Sequence, residues 1–237
     1  MSFPPETEGC PHPLFPRKRA ACGPGGFSLV ELLAVLALLG VLAVFAIPAA
    51  QSLAGARGVS RAAYDVAGLL ELARSEAVSR QTYVWVGFET NQAPEGLELR
   101  MAAVASRDGS GTNTMEANLL PLTKVIKVRQ TALSRWSDLK SPTRDLAPQG
   151  TPTDVSTHTG GIPFTVGSTA FENGRTVTFT PRGEIVLKGA VGPYDGYTTL
   201  AAVSLRQARG AEVLPDADDA AVLIDGPTGA VSTLRLP

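Results

Sequence analysis

GGFSLVELLAVLALLGVLAVFAIPAA, Gly25 to Ala50, decides how this chain is read. Its 24 residues from Phe27 to Ala50 carry a single charge, Glu31. As a helix they span about 36 Å at 1.5 Å per residue, more than the ~30 Å hydrocarbon layer of a bilayer. The basic cluster Arg17-Lys18-Arg19 precedes the run. By the positive-inside rule that puts the N-terminus in the cytoplasm and everything after Ala50 outside. Upstream, residues 1–26 hold six prolines and no apolar periodicity, a composition that cannot form a helix.

The rest of the composition narrows the chemistry. At 237 residues and 44% hydrophobic, the chain is no disordered segment and can bury a sizeable core. A formal charge of −1 argues against a protein that coats nucleic acid or anionic lipid. Both cysteines, Cys10 and Cys22, lie in the N-terminal stretch, so the remaining chain holds no disulfide and no thiolate metal site. His12 lies there too and leaves His158 alone, which supplies histidine metal centres and Ser-His-Asp chemistry poorly.

Three readings of the start compete. A secretory signal would end in a small-residue cleavage site, for which Ala46 to Ala50 is available, but the run is long and contains a glutamate. A lipoprotein signal is offered by Ala20-Ala21-Cys22-Gly23, with no apolar stretch before Cys22. The third is a leader ending in Gly26, an aromatic first mature residue and a carboxylate at mature position five. GG-FSLVELLAVLALLGVLAVFAIP resembles the processing and methylation motif of type IV prepilins and type II secretion pseudopilins, with Gly26, Phe27, Glu31 and Pro48 at the family's positions. The resemblance implies cleavage after Gly26 by a membrane prepilin peptidase and N-methylation of Phe27. It also implies that Glu31 pairs with the N-terminal amine of a neighbouring subunit during filament growth.

A carboxylate within a bilayer costs on the order of 2.5–3.5 kcal/mol and is usually functional. The simpler account of Glu31 is a side chain that snorkels to the interface and sits well near the positive end of the helix dipole. That explains tolerance but not the Gly-Phe junction just upstream. Pro48 removes a helix hydrogen bond, predicting a kink or the end of the span, and Gly40 would let helices approach closely.

Beyond Pro48 the pattern turns amphipathic. Val59, Ala63, Val66, Leu70, Ala73 and Ala77 recur three or four apart, with Arg57, Arg61, Glu71, Arg74, Glu76 and Arg80 on other faces. A helix running from Phe27 to Gln81 would be about 82 Å long. Strands are expected at TYVWVGFE (Thr82 to Glu89), LELRMAAV (Leu97 to Val104) and LLPLTKVIKV (Leu119 to Val128), then at TVTFT, EIVLK, TTLAAVSLR, AVLID and TGAVSTLRL. Residues 106–118 and 141–161 read as polar loops. The expected fold is therefore α+β: a pilin-like lollipop with a long N-terminal helix packed on an antiparallel β-sheet head. Its segments are a cleaved leader 1–26, a membrane and filament-core helix 27–50, an amphipathic continuation 51–81 and a head 82–237.

Three further patches sharpen the resemblance. Leu69 to Glu89 resembles the helix end and first strand of GspH/FimT-type minor pseudopilins, and Arg175 to Leu187 resembles their Phe-x-Pro-x-Gly hairpin, on Phe179, Pro181 and Gly183. Ala221 to Arg235 is similar to their closing strand-turn-strand. Long insertions such as 106–161 resemble those of prepilin-like proteins of verrucomicrobial gene cassettes. The resemblance implies a structural subunit, not an enzyme and without cofactor, of a type II secretion or type IV pilus-like filament. Its implied partners are prepilin peptidase, other pilin or pseudopilin subunits, the inner-membrane assembly platform and the lipid bilayer. The alternative is an anchored periplasmic module that binds DNA or an exoprotein without entering a filament.

Other chemistry is thin. Asp216, Asp218 and Asp219 offer oxygen ligands for calcium, against a plain solvated acidic loop. His158 reads as an exposed loop residue. Arg206, Arg209 and Arg235 are candidates for phosphate contact. Residues 27–237 nevertheless carry 18 Lys+Arg against 20 Asp+Glu, so nucleic acid is not an expected partner. Pro181-Arg182-Gly183 and Gly226-Pro227-Thr228-Gly229 read as hairpin turns.

Overall fold

The computed structural model describes residues 28–147, 150–172, 174–192 and 195–235, with the side chains of 43–57 outside the description. The chain divides into two units, residues 1–47 and 48–237. Helix α1 covers Leu29–Arg80 and is the first element of an α+β chain whose remainder is antiparallel-rich sheet. The backbone stays helical through Pro48.

The second unit is built on the amphipathic stripe. Val59, Ala63, Val66, Leu70, Ala73 and Ala77 are all buried, joined by Ala62 and Leu69. Arg61, Glu71, Arg74 and Arg80 are exposed, and Glu76 is half-buried. The helix ends in a Schellman turn. Gln81 takes φ 52°, its N–H reaches the Val78 carbonyl, and the Thr82 N–H reaches the Ala77 carbonyl at 3.1 Å. Glycine usually fills that left-handed position. Here the Gln81 side chain adds a bond of its own, donating from Nε2 to the Val78 carbonyl at 2.7 Å.

The strands follow in chain order: β1 Val84–Ala93, β2 Gly96–Ser106, β3 Leu119–Pro121, β4 Ile126–Arg129, β5 Thr131–Ser134, β6 Thr153–Asp154 and β7 Phe164–Val166. Then come β8 Thr169–Phe171, β9 Thr176–Phe179, β10 Ile185–Val186, β11 Leu200–Arg209, β12 Glu212–Val213, β13 Asp219–Asp225 and β14 Val231–Leu234. The first sheet runs β10-β9-β1-β2-β3, with β4 also on β2. The second runs β12-β11-β13-β14, with β5 and β6 also on β11. β7 and β8 form a separate hairpin.

One core joins the buried face of α1 to both sheets. Val84, Val86 and Phe88 of β1 and Leu99, Met101 and Ala103 of β2 meet Val203 and Leu205 of β11 and Val222 and Ile224 of β13. The alternate residues of the first sheet, Trp85, Ala102 and Val104, enter a second cluster with Phe164, Val166 and Phe171 of the β7–β8 hairpin. Both faces of β1 are thus covered, which explains why an alternating sequence gives an unbroken run of buried residues from Val84 to Glu89.

Two local expectations are revised. The strand expected over 119–128 is two strands. Both pair with β2, and residues 122–125 bulge between them opposite Ala102 and Ala103; the Thr123 hydroxyl accepts the Ala103 N–H at 3.1 Å, a donor the ladder would otherwise leave unsatisfied. The polar segment 141–161 carries structure of its own: helix α2 (Ser141–Asp145), strand β6 and a 3₁₀ turn over Val155–Thr157.

Candidate functional site

Unit one presents the site singled out by the sequence. From Leu29 to Leu42 every described residue of α1 is exposed, from 73% at Leu29 to 56% at Leu42. A helix apolar on all sides and bare on all sides must be covered by lipid or by other helices. Among the described residues no helix is long and apolar enough to cross a membrane, and the expected span 27–50 extends past the last described side chain of that run, Leu42.

Glu31 lies at the start of this surface. The Ser28 carbonyl accepts the first helical hydrogen bond, from the Leu32 N–H at 3.0 Å, so Ser28 is the N-cap and Glu31 the third helical residue. Ser28-x-x-Glu31 therefore has capping-box spacing, a signal the sequence reading passed over. The carboxylate is exposed and sits in the first turn, where the helix dipole favours it. Gly26 and Phe27 lie outside the described residues, as does the side chain of Pro48.

The turn motifs of the second unit converge. Gly183 and Gly229 take φ 85° and φ 64°, and a Cβ on Gly229 would meet the Gly183 carbonyl oxygen at 2.1 Å. Both glycines also lie against Arg74 of α1. The Phe-x-Pro-x-Gly turn and the Gly226–Gly229 turn thus pack on each other over one helix position, and Phe179 is fully buried beneath them.

The acidic and basic candidates scatter. Asp219 is buried: its Oδ1 accepts the Thr143 hydroxyl at 2.8 Å and its Oδ2 accepts the Lys140 N–H. Its work is to hold the start of α2, so the solvated-loop reading fails for this residue. Among the described residues no group of three or more His, Cys, Asp or Glu is placed to hold a metal ion. His158 is half-buried, not exposed, and burial pushes its imidazole below the ordinary value. Arg206 spends Nη2 on the Leu214 and Pro215 carbonyls, both at 2.7 Å, whereas Arg235 is exposed at the end of β14.

Asp108 organises the 106–118 loop, another feature missed from the sequence. It accepts from the Ser110 N–H, the Asn113 amide, the Ser106 hydroxyl and the Asn118 amide, which hold its carboxyl well below the usual range. Asp195, bonded by the Lys188 ammonium and the Gly192 N–H, is lowered in the same sense.

The family model for type II transport protein GspH matches residues 62–217, and that for the prokaryotic N-terminal methylation motif matches residues 24–47. No curated protein and no solved structure matches the chain. The first match covers more than half of the chain, which belongs to the GspH family of type II secretion pseudopilins. It is thus a type II secretion pseudopilin-like subunit of the kind processed by prepilin peptidase, in a structural family and not an enzyme family. Association with other pilin subunits and with that peptidase, and an inner-membrane anchor facing the periplasm, go with the family in general.

Proposed function

We propose that the chain is a minor pseudopilin: cut between Gly26 and Phe27, methylated on Phe27, and built into a periplasmic filament through α1. The observation that carries this is the bare apolar surface of Leu29 to Leu42 with one carboxylate in its first turn. Lipid covers such a surface before assembly and neighbouring helices cover it afterwards. In the filament the Glu31 carboxylate meets the methylated amine of the adjacent subunit. Two opposite charges desolvated together attract, while either alone is penalised, so register becomes a condition for leaving the membrane. Pro48 removes one helical hydrogen bond and lets α1 adjust as it moves from lipid to filament. The head, from 82 onward, then faces the assembly platform or the secreted protein.

The test is the intact mass and N-terminal sequence of membrane-extracted protein, made with and without a prepilin peptidase. The proposal expects a chain starting at N-methyl-Phe27 only when the peptidase is present. A chain still starting at Met1, or cut near Ala50, would remove the filament role.

A further inference from the structure

Where β5, β12, the 155–157 turn and the far half of β1 meet, the second unit opens a cleft of about 620 Å³. Three arginines line it: Arg135 after β5, Arg175 before β9 and Arg206 on β11. Asp138 is the one carboxylate among the lining residues. Arg135 and Arg175 form no ion pair among the described residues. Arg206 is held by the Leu214 and Pro215 carbonyls through Nη2, which fixes the guanidinium plane at the cleft wall. Ser156 also lines the cleft, although its Oγ is itself buried and without a hydrogen-bond partner among the described residues.

We propose that this cleft binds the carboxylates of an acidic peptide segment from another polypeptide, with Arg135, Arg175 and Arg206 as charge partners. Guanidinium forks match carboxylate geometry and keep their charge at any physiological pH. The volume lies in the range of a ligand of a few residues and is far larger than one ion needs. Leu133 and Val213 give the peptide apolar wall, and Thr157 and Thr159 give it hydroxyls. Nucleic acid fits less well, because a long polyanion must also pass a surface whose overall charge is −1. Recognition here is independent of leader processing and of Glu31, so failure of either leaves the other standing.

The experiment uses the full-length protein in detergent micelles and fluorescence anisotropy of labelled decapeptides. One peptide alternates Asp and Glu with Ser and Gly; the other carries Asn and Gln in their place. The acidic peptide should bind and the amide peptide should not, with affinity falling as salt rises. The double variant Arg135→Gln/Arg175→Gln should weaken binding at least about tenfold, as expected for desolvated charge pairs. Arg182→Gln/Arg235→Gln, both exposed and outside the cleft, removes the same charge and should change binding less than about twofold. Equal loss in both double variants would reduce the effect to net charge and overturn the site. So would failure of the acidic peptide to bind while inorganic phosphate or a single-stranded oligonucleotide does.

Discussion

A methyl group added at Gly87 would stand 2.6 Å from Cζ of Phe164 and 3.2 Å from Cδ1 of Phe171. The two phenyl rings, stacked with centroids 4.9 Å apart, lie directly on the bare backbone of the central strand β1. Gly87→Ala should therefore destabilise by about 1–3 kcal/mol through overpacking, and Gly87→Val by more. Phe164→Ala alone should cost about 3–5 kcal/mol by emptying the second cluster. The double variant Gly87→Ala/Phe164→Ala should be more stable than the sum of the two predicts, because the clash disappears with the ring. Urea unfolding of all four proteins checks this, and additive losses would mean that the rings do not rest on Gly87.

Glu31 can cap a helix or pair with an amine, and one substitution separates the roles. Glutamine serves at the third position of a capping box but carries no charge. Glu31→Gln should leave helix content unchanged and still reduce entry into filaments about as far as Glu31→Ala, on the order of tenfold for a loss of roughly 1.4 kcal/mol. Shearing filaments from cells and quantifying the subunit by immunoblot reads the outcome. Full activity of Glu31→Gln beside a defective Glu31→Ala would assign the residue to capping alone.

Asp219 receives two hydrogen bonds that tether residues 140 to 143 to β13. Asp219→Ala leaves the Thr143 hydroxyl, itself fully buried, without its acceptor, which should cost about 1–3 kcal/mol. The tether holds only one short segment, so limited proteolysis should open the chain first between Lys140 and Leu146. Cleavage elsewhere at the same rate would show that the tether is not local.

His158 should make stability sensitive to pH on the acid side. Burial lowers its folded value below 6.5, so the unfolded chain takes up a proton first as pH falls. The contribution of neutral His158 is complete above 6.5 and declines as pH drops from there towards the depressed folded value. His158→Gln should flatten the fall in Tm between about pH 7 and about pH 5. Asp108 works in the same sense, in a more acidic window. Its contribution is present above the unfolded value of 3.8 and is lost only as pH falls through its lower folded value. Amide signals of the 106–118 loop should therefore persist to about pH 4.

Near-neighbour patterns determined much of this protein from sequence alone. The all-apolar run with one acid, the stripe from Val59 to Ala77 and the hairpin β1–β2 each follow from spacings within a few residues of one another, and all three appear in the structure. The Gly-Phe junction likewise lies within a continuous motif. Tertiary structure alone decided the rest, because it rests on groups far apart in the chain. Phe164 covers a glycine 77 positions earlier, and Asp219 caps a segment 76 positions earlier. Arg135, Arg175 and Arg206 sit in three stretches far apart in the chain and share one cleft only because β5 pairs with β11 and Arg175 enters β9 beside β1. Periodicity reports which face of an element is apolar; what covers that face is chosen by the packing of the whole chain.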